Sequence, residues 1–170
     1  DPVMVAKSGD RLLQEDAIDA LKTHLLPKAA LITPNLPEAE VLTGRSITDE
    51  NAMHQVLPAL LETGSEAVLL KGGHLQEGQS PDLFYSHGLS EPMQMQGERI
   101  DTPNTHGTGC TLSSAIAAFI ARGYPVQDAA SSAKSYMQEA LEAGAKLSVG
   151  KGKGPVHHFY AFWPANSENT

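Results

Sequence analysis

The chain has 170 residues, of which 41% are hydrophobic and 19% are charged, and these proportions are ordinary for one globular domain. Its formal net charge of −8 argues against nucleic-acid binding, because phosphate backbones recruit basic surfaces. The sequence has no apolar run of membrane-spanning length and no signal peptide, and its single cysteine allows no internal disulfide. These features predict a cytoplasmic protein that binds neither nucleic acid nor a membrane.

Helical and strand patterns alternate along the first half of the chain. Apolar residues at helical spacing predict helices over Leu12 to Leu26, Leu36 to Gly44 and Ala52 to Thr63. Pro58 is expected to kink the third helix or to mark an earlier boundary. The apolar runs "ALIT", from Ala30 to Thr33, and "EAVLLKGG" predict two buried strands.

The second half of the chain continues the alternation. The stretches "PDLFYSHG" and "EPMQMQGERID" predict a pair of strands. Two long helices are predicted over Thr111 to Arg122 and Val126 to Ala145. Buried strands separated by helices indicate an α/β fold whose sheet is covered on both faces.

The stretch "DTPNTHGTGC" combines closely spaced glycines with the start of a helix. Gly107 to Cys110 is predicted to be a loop that leads into a helix N-terminus, where outward N–H groups and the helix dipole favour an anion. Glycine turns before helices are about as often simple packing corners. The helix itself is predicted from one apolar face, formed by Leu112, Ala115, Ile116, Phe119 and Ile120.

Cys110 is the only cysteine of the chain and lies at the end of this loop. A lone free cysteine is most often a small apolar filler in a core. In the first turn of a helix, however, the positive end of the dipole favours the thiolate. Cys110 is therefore a candidate base or nucleophile.

Two further segments carry candidate ligands for a metal or a phosphate. Asn35 and Glu38 span the start of a predicted helix and offer oxygen atoms that suit Mg²⁺, although helix capping alone is about twice as probable a role for this spacing. Lys71 ends a predicted buried strand, where ligands of α/β sheets bind, and a solvated strand end is an equally good interpretation. The predicted anion-binding turn at Gly107 to Cys110, the Asn/Glu pair and the strand-end lysine together fit phosphoryl transfer.

Five stretches in this order resemble the hydroxymethylpyrimidine/phosphomethylpyrimidine kinases of thiamine biosynthesis. They are "DPVMVAKSG", "LITPNLPEAEVLTG", "VLLKGGH", "NTHGTGCTLSSAIAA" and "GKGPVHHF". The resemblance covers essentially the whole chain and implies a three-layer ribokinase-like α/β fold. It further implies ATP, Mg²⁺ and two successive phosphorylations, first of a hydroxymethyl group on a pyrimidine and then of its phosphate.

The resemblance also implies roles for residues of the glycine stretch. Gly107, Thr108 and Gly109 match the anion hole of these kinases. Cys110 matches their catalytic base, a position that most ribokinase-like sugar kinases fill with aspartate. Lys134, on the last long helix, matches a lysine near the nucleotide.

Residues in the first half of the chain match the remaining motifs. Asn35 and Glu38 match a motif for metal and phosphate, in which Glu38 is the metal residue, and Lys71 matches a contact to the nucleotide phosphates. Asp1 matches an aspartate at the metal edge, and Val3 lies where the pyrimidine packs. The segment Val5 to Gly9 resembles a flap that closes over the substrate.

The kinases of this family begin well upstream of the residue that matches Asp1. Residues 1–170 are therefore expected to be the C-terminal part of a single ribokinase-like domain whose N-terminal strands are missing from this chain. Either the chain is a fragment of a normal kinase of this family, or it folds with a partner that supplies the rest, such as a complementing N-terminal segment or a second copy in a homodimer. Two alternatives stay open, a pyridoxal or pyridoxine kinase and an inactive nucleotide-binding fragment.

Overall fold

The structure, a computed structural model, describes residues 1–5, 12–73, 81–95 and 97–163. The chain folds as two units, Asp1–Gln96 and Gly97–Thr170. In the first unit the helices come before the three strands of the sheet, and helices dominate the second unit. This architecture confirms the predicted α/β class.

The helices of the first unit follow the predicted order. Helix α1 (Glu15–Ala20) continues as a π-helical turn (Leu21–Leu25) and a short 3-10 turn (Leu26–Lys28). Helix α2 (Leu36–Thr43) ends at Gly44, whose φ of 68° is a left-handed conformation that favours glycine.

Helix α3 (Glu50–Leu61) runs through Pro58, so the expectation of an earlier boundary was wrong. Pro58 removes one backbone hydrogen bond from the helix interior. The helix tolerates this loss because Pro58 lies on its exposed side, while Met53, Val56 and Leu57 bury the opposite side. Packing of the apolar face therefore outweighs the unfavourable proline.

Three strands form an antiparallel sheet in the order β1 (Ala67–Leu70), β2 (Asp82–Ser86) and β3 (Met93–Met95). The predicted strand pair, β2 with β3, is confirmed. All four residues of β1 are buried, as its continuous apolar run predicts. One face of the sheet joins the core of the first unit through Val68, Leu70 and Leu83.

The core of the first unit packs α3 against the sheet and α2 against α3. The N-terminal segment contributes to the core as well, because Met4 and Val5 are buried in it. The side chains that are almost completely inaccessible include Met4, Met53, Val56, Leu57, Leu60, Val68, Leu70 and Leu83.

The predicted strand over Ala30 to Thr33 is reduced to single bridges that run parallel to β1. The N–H of Ile32 donates to Ala67 at 3.1 Å, and the N–H of Leu69 donates back to Ile32 at 2.8 Å. Pro34 has no N–H to continue the ladder, although its carbonyl accepts from Lys71 at 2.9 Å. The last bridge places Asn35 opposite Lys71, just beyond the end of β1.

The second unit contains helices α4 (Thr108–Ala121) and α5 (Val126–Gly144), which pack against each other, and a 3-10 turn (Tyr160–Phe162). Both predicted long helices are confirmed. The buried positions of α5 are mostly alanines, which allow neighbouring elements to approach closely. Among the described residues, no helix combines the length and the apolar character needed to cross a bilayer.

Candidate active site

The predicted site residues fall into two groups, one in each unit. Asp1, Val3, Asn35, Glu38 and Lys71 belong to the first unit. Gly107, Thr108, Gly109, Cys110 and Lys134 belong to the second.

Asn35 and Glu38 form a complete capping box at the start of α2. The N–H of Glu38 donates to Asn35 Oδ1 at 2.8 Å, and the N–H of Asn35 donates to Glu38 Oε2 at 2.9 Å. Two of the backbone donors that a helix start leaves unpaired are thereby satisfied. The capping interpretation of this spacing is confirmed.

Glu38 also ties the N-terminal segment to α2. Its Oε1 accepts a hydrogen bond from the N–H of Met4 at 3.0 Å, and the side chain is only 2% exposed. Asn35 adds a second link, because its Nδ2 donates to the carbonyl of Val5 at 3.3 Å. A buried carboxylate that accepts two backbone N–H groups therefore fixes both the helix start and residues 4 and 5.

Val3 lies immediately before this tether and has a strained backbone. Its φ of 51° is in the left-handed region, which a β-branched residue adopts at a cost of about 1–3 kcal/mol. The side chain is 43% exposed, whereas Met4 is fully buried. Backbone strain thus falls on the residue predicted to pack against the pyrimidine. Residues 6–9 of the predicted flap lie outside the described residues.

Lys71 and Asp1 form an ion pair, with Lys71 Nζ at 3.1 Å from Asp1 Oδ1. Both side chains are largely buried, at 15% and 10% exposure. The structure therefore brings the lysine predicted to contact phosphate next to the aspartate predicted to lie at the metal edge. Since they are 70 positions apart in sequence, no local pattern predicts the contact.

Asp82 is a polar residue beside Lys71 that the sequence did not single out. Its Oδ1 accepts a hydrogen bond from the N–H of Gly72 at 2.9 Å, which fixes the backbone directly after Lys71. Only the antiparallel pairing of β1 with β2 brings Asp82 to this position. A lone aspartate at the start of a strand carries no sequence signal for such a role.

In the second unit, Gly107 to Cys110 is not a loop, which corrects the sequence expectation. Helix α4 begins at Thr108, so Thr108, Gly109 and Cys110 form its first turn, and only Gly107 precedes the helix. Gly107 has a φ of 79°, and this left-handed conformation turns the chain straight into the helix. No side chain caps the helix start, and the N–H groups of this first turn have no acceptor within the helix.

Cys110 is exposed in this first turn and opens onto a cavity of about 530 Å³ along α4. The cavity extends to Arg122, whose guanidinium carbon lies 5.8 Å from the centre of the Phe119 ring. A single side of α4 therefore carries a thiol at one end and a cation at the other. The cavity is lined by Cys110, Thr111, Ser114, Ala115, Ala118, Phe119, Arg122, Tyr136 and His158.

Lys134 lies on α5 and its side chain borders the first residue of the second unit. A Cβ built on Gly97 would lie 3.1 Å from Cε of Lys134. Cε lies near the end of a flexible side chain, so a larger residue at position 97 would require Lys134 to shift by a few tenths of an ångström.

Comparison with known proteins identifies relatives over almost the whole chain. The hydroxymethylpyrimidine/phosphomethylpyrimidine kinases of Rhizobium meliloti and Escherichia coli are 50% and 48% identical, each over 96% of this chain. The chain spans 61% of the length of both. The Phosphomethylpyrimidine kinase family model matches residues 1–157.

Solved structures agree with this relationship. A phosphomethylpyrimidine kinase from Clostridium difficile superposes with a TM-score of 0.71 at 39% identity, over 83% of this chain and 55% of that one. An ADP complex of Bacillus subtilis pyridoxal kinase gives a TM-score of 0.83 at 32% identity, over 94% and 59%. The fold is therefore that of the ribokinase-like kinases. This chain belongs to the phosphomethylpyrimidine kinase family.

Proposed function

We propose that the protein containing this chain is an ATP-dependent kinase that phosphorylates 4-amino-5-hydroxymethyl-2-methylpyrimidine and then its monophosphate. The observation that carries the proposal is the uncapped first turn of α4, which ends in an exposed cysteine within a chain of this family. Such a turn presents N–H donors where phosphoryl charge develops. Both units belong, in this proposal, to a single kinase domain.

In the proposed reaction, the N–H groups of Gly107, Thr108 and Gly109 bind oxygens of the transferred phosphoryl group. The thiolate of Cys110 accepts the proton of the substrate hydroxyl as its oxygen bonds to the γ-phosphorus of ATP. The bond from that phosphorus to the β-phosphate oxygen breaks, and ADP leaves. The second round repeats these steps with a phosphate oxygen as the nucleophile. Positioning and charge neutralisation supply most of the rate in such transfers.

We assign Lys71, Lys134 and Asn35 to the ATP phosphates. Both lysines are cationic side chains that suit phosphate, and the ion pair with Asp1 holds Lys71 in place. Asn35 lies opposite Lys71 at the end of β1, where ligands of α/β sheets bind. Val3 is the proposed contact to the pyrimidine, because its side chain is exposed while its backbone is held by the neighbouring tether.

Asp1 and Glu38 are the residues that would hold Mg²⁺. Both carboxylate oxygens of Glu38 accept one backbone N–H each and keep a second lone pair, which fits an ion that binds one or two carboxylates. The described residues hold no group of three His, Cys, Asp or Glu side chains suited to a metal. Mg²⁺ usually keeps several waters and binds substrate phosphates besides one or two carboxylates. When bound, Mg²⁺ supplies neutralisation of the phosphate charge.

Glu38→Gln is expected to raise the Mg²⁺ concentration required for half-maximal turnover, because an amide is a weaker ligand for this cation than a carboxylate. The variant also loses one acceptor for a buried N–H, so the free energy of unfolding should fall by about 1–3 kcal/mol. Turnover over a Mg²⁺ titration and thermal denaturation measure the two effects separately.

Asp49→Ala is the matched control for Glu38→Gln. Asp49 caps α3 by accepting a hydrogen bond from the N–H of Ala52 at 2.8 Å, and its loss should cost about 0.5–2 kcal/mol. The Mg²⁺ dependence of Asp49→Ala should match that of the wild type. If Glu38→Gln behaves in the same way, Glu38 is only a cap and tether.

A pyridoxal kinase is the second candidate function, because the Bacillus subtilis pyridoxal kinase superposes on almost the whole chain. Competition between hydroxymethylpyrimidine and pyridoxal, measured as the ratio of kcat/KM values, separates the two activities. A value of kcat/KM that is higher for pyridoxal would overturn the pyrimidine assignment. Binding of ATP with no phosphorylation of either compound would favour a nucleotide-binding fragment.

We further propose that the pyrimidine site is completed by residues outside this chain. The share of the relatives' length that the chain spans, 61%, supports this proposal. The apolar cavity along α4 offers surface for such a segment. Three exposed aromatic side chains of the second unit, Phe159, Phe162 and Trp163, offer more. A homodimer is the competing outcome, and sedimentation analysis of the protein distinguishes the two.

A further inference from the structure

Asn104 lies shortly before the glycine turn and is almost completely buried, at 5% exposure. Its Nδ2 donates to the carbonyl of Gly144 at 2.7 Å and to the carbonyl of Leu147 at 2.8 Å. Gly144 is the last residue of α5, and its carbonyl accepts from the N–H of Leu147 at 3.0 Å as well as from Asn104. The amide of Asn104 thus uses both of its hydrogens to close the end of α5.

A second contact holds Asn104 from the opposite side. Gly154 is buried, and a Cβ built on it would lie 2.7 Å from Cγ of Asn104 and would overlap its Oδ1. The side-chain amide is therefore confined between the end of α5 and the backbone of Gly154. Any side chain at position 154 has to displace it.

The backbone of Gly154 and Pro155 also holds His106, the residue directly before the glycine turn. The N–H of His106 donates to the carbonyl of Gly154 at 3.0 Å, and His106 forms a parallel bridge with Pro155. The next residue is Gly107, whose carbonyl accepts from the N–H of Thr111 at 2.9 Å. A continuous chain of contacts thus leads from Asn104 and Gly154 through His106 to the first turn of α4.

We infer that Asn104 is a positioning residue for this turn: its amide fixes the end of α5 and Gly154, and these fix where the N–H groups of Gly107 to Cys110 point. This inference rests on the proposed function for its effect on catalysis. Asn104 itself touches no reacting atom in this account. Preorganised donors lose their advantage when they are displaced by even a fraction of an ångström.

The side-chain chemistry at position 104 makes the inference specific. The two carbonyl oxygens each accept one hydrogen of the Asn104 amide, and asparagine is a short side chain that provides both donors. Aspartate has the same shape but would place carboxylate oxygens against the carbonyls of Gly144 and Leu147. Asn104→Asp should therefore be at least as harmful as Asn104→Ala, although it conserves volume.

The test combines hydrogen exchange and kinetics in the full-length protein. Asn104→Ala and Gly154→Ala should speed exchange of the His106 and Thr111 amides by at least tenfold, while amides of α3 and β1 exchange as in the wild type. In the same variants kcat should fall at least tenfold, with KM for ATP changed by less than about threefold. Met137→Ala is the control, because it removes a buried side chain of the same unit that is not a hydrogen-bond partner of Asn104 or Gly154.

The outcomes separate the inference from the proposed function. Faster exchange confined to His106 and Thr111, together with reduced kcat, supports the positioning role. Exchange that rises evenly through the second unit, as expected for Met137→Ala, or an unchanged kcat per folded molecule overturns it. If the wild type phosphorylates no pyrimidine, the proposed function fails, and the exchange pattern still decides whether Asn104 positions the turn.

Discussion

Cys110→Ala should lower turnover by about 10²–10⁴-fold, the usual contribution of a general base, with little change in the affinity for ATP. Alanine keeps the backbone N–H groups of the first turn of α4 but removes the atom that accepts the proton. The side chain is exposed, so its loss should leave stability close to that of the wild type. Single-turnover assays and equilibrium ATP binding measure the chemical step and affinity separately.

Two further variants test this assignment. Cys110→Asp should retain part of the activity, because a carboxylate accepts a proton from the same position. Ser114→Ala, one helical turn further along the same cavity, changes the lining without touching the proposed base and should turn over like the wild type. If Cys110→Ala also turns over like the wild type, the cysteine is not the base.

The 170-residue chain expressed by itself should show no measurable pyrimidine kinase activity, although weak Mg²⁺-dependent ATP binding should persist. The proposed phosphate contacts lie within the chain, whereas the proposal places much of the pyrimidine site outside it. We also expect low solubility, because Phe159, Phe162 and Trp163 are exposed at 69%, 85% and 59%.

The comparison for this experiment is the same chain joined to the remaining part of a family member. Activity that appears only in the longer protein supports completion by an added segment. Activity in the short chain that rises with its concentration would show instead that two copies complete the site. A monomeric short chain that phosphorylates the pyrimidine at the rate of the longer protein contradicts the prediction.

Hydrophobic periodicity was sufficient to predict most of the helices and strands. It placed α5 and the pairing of β2 with β3 correctly, because both carry strong repeating patterns. It placed the start of α4 too late, at Thr111, since glycine and threonine score poorly as helix formers. The left-handed conformation of Gly107 lets the helix begin at the next residue, and helix propensities do not predict such a conformation.

The candidate site was less accessible from sequence than the fold. The spacing of Asn35 and Glu38 fits both a capping box and a metal motif and favours the capping box about twofold, and only the structure shows that the capping bonds form. The tether from Glu38 to Met4 spans 34 positions and the Asp1–Lys71 pair spans 70. Contacts between such distant positions depend on how the whole unit packs, so local patterns do not contain them.

The capping box of Asn35 and Glu38 makes residues 4 and 5 and the first turn of α2 one cooperative element. Neither can open without leaving a buried carboxylate or N–H group unpaired, so their fluctuations are energetically linked. Linkage is reciprocal: any ligand that orders Val3 must also slow the opening of α2, and weakening the helix start must loosen that ligand. If Val3 contacts the pyrimidine as proposed, substrate affinity and the local stability of α2 share one coupling free energy.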